Sequence, residues 1–149
     1  MTNRFQINLA NYLPYLINRV GAAMVASFTA EALVRNGLSI DMWRVLAALS
    51  NNGLQRQVDI ATMTSIDAST MSRLVSRLVR DGLVTRSRSA ISSREVVVEL
   101  SPKGRSLVRR LIPIAHELER TASEGLPAKD LAVAKRALRR MYVNLTRGR

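Results

Sequence analysis

Asp67-Ala68-Ser69-Thr70-Met71-Ser72-Arg73-Leu74-Val75-Ser76-Arg77-Leu78-Val79-Arg80-Asp81-Gly82 is the most informative stretch of this 149-residue chain. Its apolar residues Met71, Leu74, Val75 and Leu78 recur every three or four positions, the period of a helix with one buried face. Asp67 stands where an N-cap is needed, because its carboxylate can accept from the unpaired first-turn amides, and Gly82 is a stop signal. The spacing predicts a helix over 68–81. Its outer face carries Ser69, Thr70, Ser72, Arg73, Ser76, Arg77 and Arg80. The small hydroxyls sit at the N-terminal end and most of the guanidinium groups further along.

Working outward, Gln55 to Thr64 reads as a short helix with Val58, Ile60, Ala61 and Met63, joined to the next helix by a tight turn at Ser65-Ile66. Downstream, Leu83 to Arg88 and Arg94 to Leu100 read as two short strands, with Ser89 to Ser93 as the hairpin tip. Val96, Val98 and Leu100 share one strand face, and Val97 and Glu99 the other. Helix, tight turn, capped polar helix and basic hairpin together describe a winged helix-turn-helix. The fold class is mainly α with a small β-wing.

That arrangement fits DNA. Recognition helices meet base edges near their N-terminal end. There, Ser69, Thr70 and Ser72 can exchange hydrogen bonds with several bases, and Arg73 can fork onto a guanine. Ser76 lies on the same face. Arg77 lies further along and suits the phosphates, which position a protein without specifying a sequence. Arg86, Arg88 and Arg94 place three guanidinium groups on the hairpin, suited to phosphates or to a narrow minor groove.

The flanks are helical. Leu13, Leu16, Ile17, Val20, Met24 and Phe28 predict a helix over 11–36, with Pro14 tolerable in its first turn and Gly37 at its end. Ser39 caps a second helix that stops near Asn51-Asn52-Gly53. Ser101 caps a fifth, with Pro102 in its first turn and Pro113 inside it. Leu131, Ala134, Leu138, Met141 and Leu145 predict a last helix over 128–146. A small winged body cannot cover both faces of the first and last helices, so their apolar stripes call for a second copy. The expected division is therefore a helical dimerisation region over 1–36 and 101–149, and a DNA-binding domain over 37–100. A two-fold dimer presents its recognition helices about one DNA turn apart.

A small-molecule pocket is expected where the dimer helices meet the winged body. Tyr12, Tyr15 and Arg19 on the first helix, Met42 and Trp43 on the second, and His116 on the fifth are its candidates, since a cation beside aromatics can hold an anionic aromatic compound. Each of these residues also reads as ordinary core or interface packing.

Composition sets the limits. The chain carries 23 Lys+Arg against 11 Asp+Glu, a formal charge of +12, with one His and no Cys. Residues 73–110 hold ten basic groups against Asp81, Glu95 and Glu99, and residues 129–149 hold seven against Asp130. The basic groups are almost all Arg, a bias compatible with codon composition and with bidentate phosphate recognition, so their location carries the argument. Absence of Cys removes disulfides and thiolate chemistry, and the lone His removes imidazole-rich metal sites. No nucleophile elbow, P-loop, dinucleotide turn or zincin motif occurs, so no enzyme, cofactor or metal is expected. The N-terminus, Met1-Thr2-Asn3-Arg4-Phe5, does not resemble a signal peptide, and the window Val20 to Ala30 is about half a membrane span of ~20 residues. A cytoplasmic protein without a membrane partner is expected.

The chain resembles the MarR family of bacterial winged-helix regulators. Ile60-Ala61, the run Asp67 to Leu78, Asp81-Gly82-Leu83-Val84, and Arg94 followed by Val96, Val98, Leu100, Ser101, Pro102, Lys103 and Gly104 carry the resemblance. It implies a homodimer with interlocked N- and C-terminal helices, a palindromic operator, and release by a small phenolic or other aromatic ligand. It implies a DNA set of Ser69, Thr70, Ser72 and Arg73, with Arg94 at the wing. The expected function is a sequence-specific transcriptional regulator, most often a repressor; the alternative is an architectural or partner-dependent DNA binder without a ligand. Two positions depart from the pattern. Ser92 stands where the family's wing has an acid, and Thr64-Ser65 replaces an apolar-Gly pair at the turn, so Ser65 is expected to meet a backbone angle that suits Gly.

Overall fold

A computed structural model describes residues 5–148 of the chain. Its described elements are α1 (Leu13–Phe28), α2 (Ile40–Asn52), β1 (Gln55–Arg56), α3 (Gln57–Thr64), α4 (Ala68–Arg80), β2 (Val84–Arg88), β3 (Val96–Leu100), α5 (Pro102–Ala122) and α6 (Ala128–Thr146). The fold is a mostly helical winged helix-turn-helix. The opening Met1 to Arg4 of the N-terminal reading lies outside the described residues.

The core belongs to the winged body. Val45, Leu46 and Leu49 of α2, Ile60 of α3, and Met71, Val75 and Leu78 of α4 are buried together with Val84, Val98 and Leu100 of the sheet. Leu107, Val108 and Leu111 of α5 close one side. From the N-terminal helix only its end joins this core, through Phe28, Ala32 and Leu33. The helix expected over 11–36 starts at Leu13, where Pro14 fits the first turn, and changes winding after Phe28. A π turn over Thr29–Leu33 and a 3-10 turn over Val34–Asn36 follow. The wider turn sets Leu33 beside Phe28 and Ala32 in the core, a spacing an α-turn alone does not bring to one face.

Caps stop and start the helices where local chemistry demands. The Ser39 hydroxyl accepts from the Met42 amide at 3.2 Å, and the Ser101 hydroxyl accepts from the Gly104 amide at 3.0 Å while donating to the Gly82 carbonyl at 2.6 Å. The first turn of α5 therefore lies on the chain just before β2. Gly104 makes that contact possible, because a Cβ there would stand 2.0 Å from the Leu83 carbonyl oxygen. Helix α5 continues across Pro113.

The sheet has the order β1-β3-β2 with antiparallel pairings throughout. Val84 pairs with Leu100 and Arg88 with Val96, so the wing's arms are in register to their tips. Strand β1 replaces the first turn expected for the third helix: Gln55 pairs with Val98 and Arg56 with Val97. Two residues carry no periodicity of their own, and their strand character comes from the free edge of β3.

The arms contrast with this body. No residue of α6 is buried, and along α1 only Phe28 is. Leu13, Ile17 and Val20 of α1 and Leu138, Val143 and Leu145 of α6 are exposed. Lys135 of α6 is ion-paired with Glu119 of α5, and the Tyr142 and Ser65 hydroxyls lie 3.2 Å apart. Between α1 and α6 an open cleft of about 550 Å³ is lined by Leu13, Ile17, Met141 and Leu145, among others. Among the described residues, no helix is long and apolar enough to cross a membrane.

Candidate DNA-binding surface

Helix α4 begins at a carboxylate that does three jobs. Asp67 Oδ1 accepts from the Thr70 amide at 2.9 Å, which is the N-cap bond expected from the sequence. The same oxygen accepts from the Ser69 hydroxyl at 2.7 Å, and Oδ2 accepts from the Thr70 hydroxyl at 2.6 Å. The Thr70 hydroxyl, its amide and the Ser69 hydroxyl, in that order, hold the Asp67 carboxyl well below the usual carboxylate range; the Arg73 charge adds to this and desolvation opposes it. A depressed carboxylate pKa means that the capped state is fully favoured above the ordinary range near ~3.9 and is lost only as pH falls through the lowered value.

The chemical consequence reaches the helix face. Ser69 and Thr70 have committed their only hydroxyl protons to Asp67, so each presents oxygen lone pairs outward. Arg73 Nη2 donates to the Thr70 hydroxyl at 3.2 Å, which steers the guanidinium toward the same end of the helix. Acceptors suit the amino groups of cytosine and adenine, while an arginine fork suits guanine. Ser72 and Arg73 are exposed on this face, and Thr70 is half-buried.

Further along, Arg77 lies 3.9 Å from Asp81, a loose pairing that leaves most of its donors open. Ser76 is tied to the wing instead: Arg86 Nη1 donates to its hydroxyl at 3.0 Å. That bond joins α4 to β2 and fixes one guanidinium between helix and hairpin. Arg88 Nη1 donates to the Ser93 carbonyl at 3.1 Å and closes the wing's far end. Arg94 is exposed and makes no hydrogen bond or ion pair among the described residues. A cleft of about 350 Å³ runs between helix and wing, lined by Gln57, Ser72, Arg86, Ser87, Arg88 and Val96.

One cluster was not anticipated. Arg56 of β1 grips Asp59 with two parallel bonds, Nε to Oδ2 at 2.7 Å and Nη2 to Oδ1 at 2.8 Å, and reaches Glu95 Oε1 with Nη1 at 2.8 Å. Asp59 first and Glu95 second favour the charged guanidinium and raise the Arg56 pKa; the Arg56 hydrogen bonds lower that of Asp59. The Arg56–Asp59 half is readable as an i,i+3 pair. The Glu95 half spans 39 positions and has no local signal.

The small-molecule candidates are spread over the chain. Arg19 stands 5.7 Å from the Tyr15 ring centroid on α1. Trp43 packs on Phe28 with ring centroids 5.2 Å apart, and Met42 is buried in the core. Tyr12 and His116 are exposed. None of these six lines the helix–wing cleft or the cleft between α1 and α6.

Comparison with known proteins agrees with this geometry. A sequence model described as MarR family matches residues 36–95, from the end of the first helical stretch to the wing. The crystal structure of a MarR family transcriptional regulator from Silicibacter pomeroyi is 30% identical, covers 94% of this chain and 99% of its own, and superposes with a TM-score of 0.78. The chain belongs to the MarR family. Within the MarR family it is also similar to the transcriptional repressor IacR of Pseudomonas putida, 29% identical over 72% of this chain and 65% of that repressor's length. The Bordetella bronchiseptica regulator BpsR, whose DNA binding is regulated by 6-hydroxynicotinic acid, is 28% identical over 87% of this chain and 98% of its own, with a TM-score of 0.77.

Proposed function

We propose that this MarR family protein is a transcriptional repressor that reads operator DNA as a homodimer and lets go when a small aromatic acid binds. One observation carries the DNA reading. The Asp67 cap, the Ser69 and Thr70 hydroxyls and Arg73 form a single hydrogen-bonded unit at the exposed start of α4. Such a unit is pre-organised, so little side-chain entropy is lost when it meets a base edge. Ser69, Thr70, Ser72 and Arg73 serve as base readers, Ser76 and Arg77 as support and phosphate contacts, and Arg86, Arg88 and Arg94 as the wing's contribution.

The exposed apolar faces of α1 and α6 support a homodimer built from 1–36 and 101–149, with 37–100 as the reading head. Two heads related by a two-fold axis match a palindrome. The effector belongs to the same reading: Tyr12, Tyr15, Arg19, Met42, Trp43 and His116 are the candidates for holding it, and the similarity to BpsR favours a hydroxylated pyridine or benzene carboxylate. Binding to a dimer whose heads no longer match the operator spacing would release DNA.

In-vitro selection of duplexes with the full chain tests the reading. A palindromic consensus with steep salt dependence is expected. Arg73→Ala is expected to lose about 1–3 kcal/mol of discrimination at one base pair of each half-site. Unchanged selectivity of that variant would remove Arg73 from the reading set, and recovery of no consensus would overturn the repressor assignment. A thermal-shift titration with 6-hydroxynicotinate, repeated for Arg19→Ala, tests the effector.

A further inference from the structure

The wing is anchored from an unexpected side. Ser92 occupies the position where an acid was expected to steady the wing arginine. The chain supplies a different support. Glu95, next to Arg94, is a node of the wing: its carbonyl accepts from the Ser89 amide at 2.8 Å, and its amide donates to the Ser92 carbonyl at 3.1 Å. The backbone of the tip, residues 89–95, is therefore folded around Glu95. The Glu95 side chain leaves the wing and meets Arg56 at 2.8 Å.

Arg56 is itself doubly constrained. Its backbone is held in the sheet by pairing opposite Val97. Its guanidinium is locked by the two-bond fork to Asp59 in the first turn of α3. A guanidinium oriented by one carboxylate presents its remaining donors in a fixed direction, a geometry that lysine cannot reproduce. From these juxtaposed bonds we infer that Arg56, set by Asp59, is a positioning residue for the wing: by holding Glu95 it fixes the tip loop and aims Arg94 at DNA.

An isolated exposed ion pair contributes little to stability, so the effect belongs in the placement of Arg94 and not in the melting temperature. A loose wing must be ordered on binding, and that cost appears as lost affinity.

This inference rests on the DNA-binding reading above, and two measurements separate their failures. The first is amide hydrogen exchange of the DNA-free full chain. Arg56→Ala and, as a second variant, Glu95→Gln are expected to speed exchange at Ser89 and Glu95 while the α4 amides keep their protection. The second uses a duplex recovered by in-vitro selection with the wild-type chain. Arg56→Ala is expected to weaken binding about three- to tenfold, the scale of one or two lost phosphate contacts. In the Arg94→Ala background the same change is expected to have no effect, and Arg56→Lys is expected to fall between wild type and Arg56→Ala. Unaltered exchange at Ser89 and Glu95 in both variants would overturn the anchoring. Additive losses for Arg56→Ala and Arg94→Ala would overturn the positioning role and make Arg56 an independent DNA contact. A wild-type chain that selects no duplex would overturn the DNA reading and leave the exchange result to judge the anchor.

Discussion

The winged body and the helical arms obey different physics. In the body, Met71, Val75 and Leu78 of α4 share one buried cluster with Leu46 and Leu49 of α2 and Val98 of the sheet, and α2, α4 and α5 each start on a side-chain cap. In the arms, 19-residue α6 buries nothing, and α1 buries only the residue at its end. Apolar residues recur at helical spacing in both. Periodicity therefore states that a face seeks cover, and it does not state which surface supplies the cover. The body finds cover within its own chain; the arms leave their apolar faces exposed, and the proposed homodimer would cover them.

Four variants press on that contrast. The largest effect is expected in the arms. Ile17→Asp combined with Leu145→Asp places carboxylates in the apolar cleft between α1 and α6, and burying an unpaired charge against a partner is prohibitive. Sedimentation should show a dimer dissociation constant raised by about a hundredfold or more, since each ~1.4 kcal/mol is tenfold, with the winged body still folded. An unchanged sedimentation profile would erase the distinction between arms and body. Next, Met71→Ala hollows the body's core and should cost about 2–5 kcal/mol in denaturant unfolding. If that loss depended on protein concentration as strongly as the arm variant's does, the body would not be an independent unit.

Smaller effects probe the joints. Gly104→Ala drives a methyl group into the Leu83 carbonyl and should cost about 1–3 kcal/mol, loosening α5 from the body. The smallest change has the opposite sign. Ser65 sits at φ +58° between the two helices of the motif, a left-handed angle that glycine adopts freely. Ser65→Gly should stabilise the chain by up to about 1 kcal/mol, less whatever the Tyr142 hydrogen bond contributes. A drop in Tm would mean that this contact, which ties α6 to the turn between α3 and α4, outweighs the backbone strain.

Much of the body was legible before any coordinates. Ser39, Asp67 and Ser101 were readable as caps because a cap and the backbone amide that donates to it lie three residues apart. The wing's two arms were legible from alternation, and the left-handed angle at Ser65 from the missing glycine. The candidate DNA residues Ser69, Thr70, Ser72, Arg73, Ser76 and Arg77 fell on the face of α4 opposite Met71, Val75 and Leu78 because helical period alone puts them there. Strand β1 was not legible: Gln55 and Arg56 resemble a helix start and become a strand by pairing with β3. The reach of Arg86 to Ser76 and of Arg56 to Glu95 was equally hidden, since each joins residues from different elements.

Local order thus wrote the helices, their caps, the hairpin and the placement of hydroxyls and guanidinium groups along α4, because those properties depend on neighbours within about one turn. Tertiary structure settled what those groups are free to do. It tied Arg86 to α4 and Arg56 to the wing, and left Arg94 without a partner among the described residues. Hydrogen-bond partners are chosen by distance in space, and a distance across 39 positions exists only once the sheet has closed.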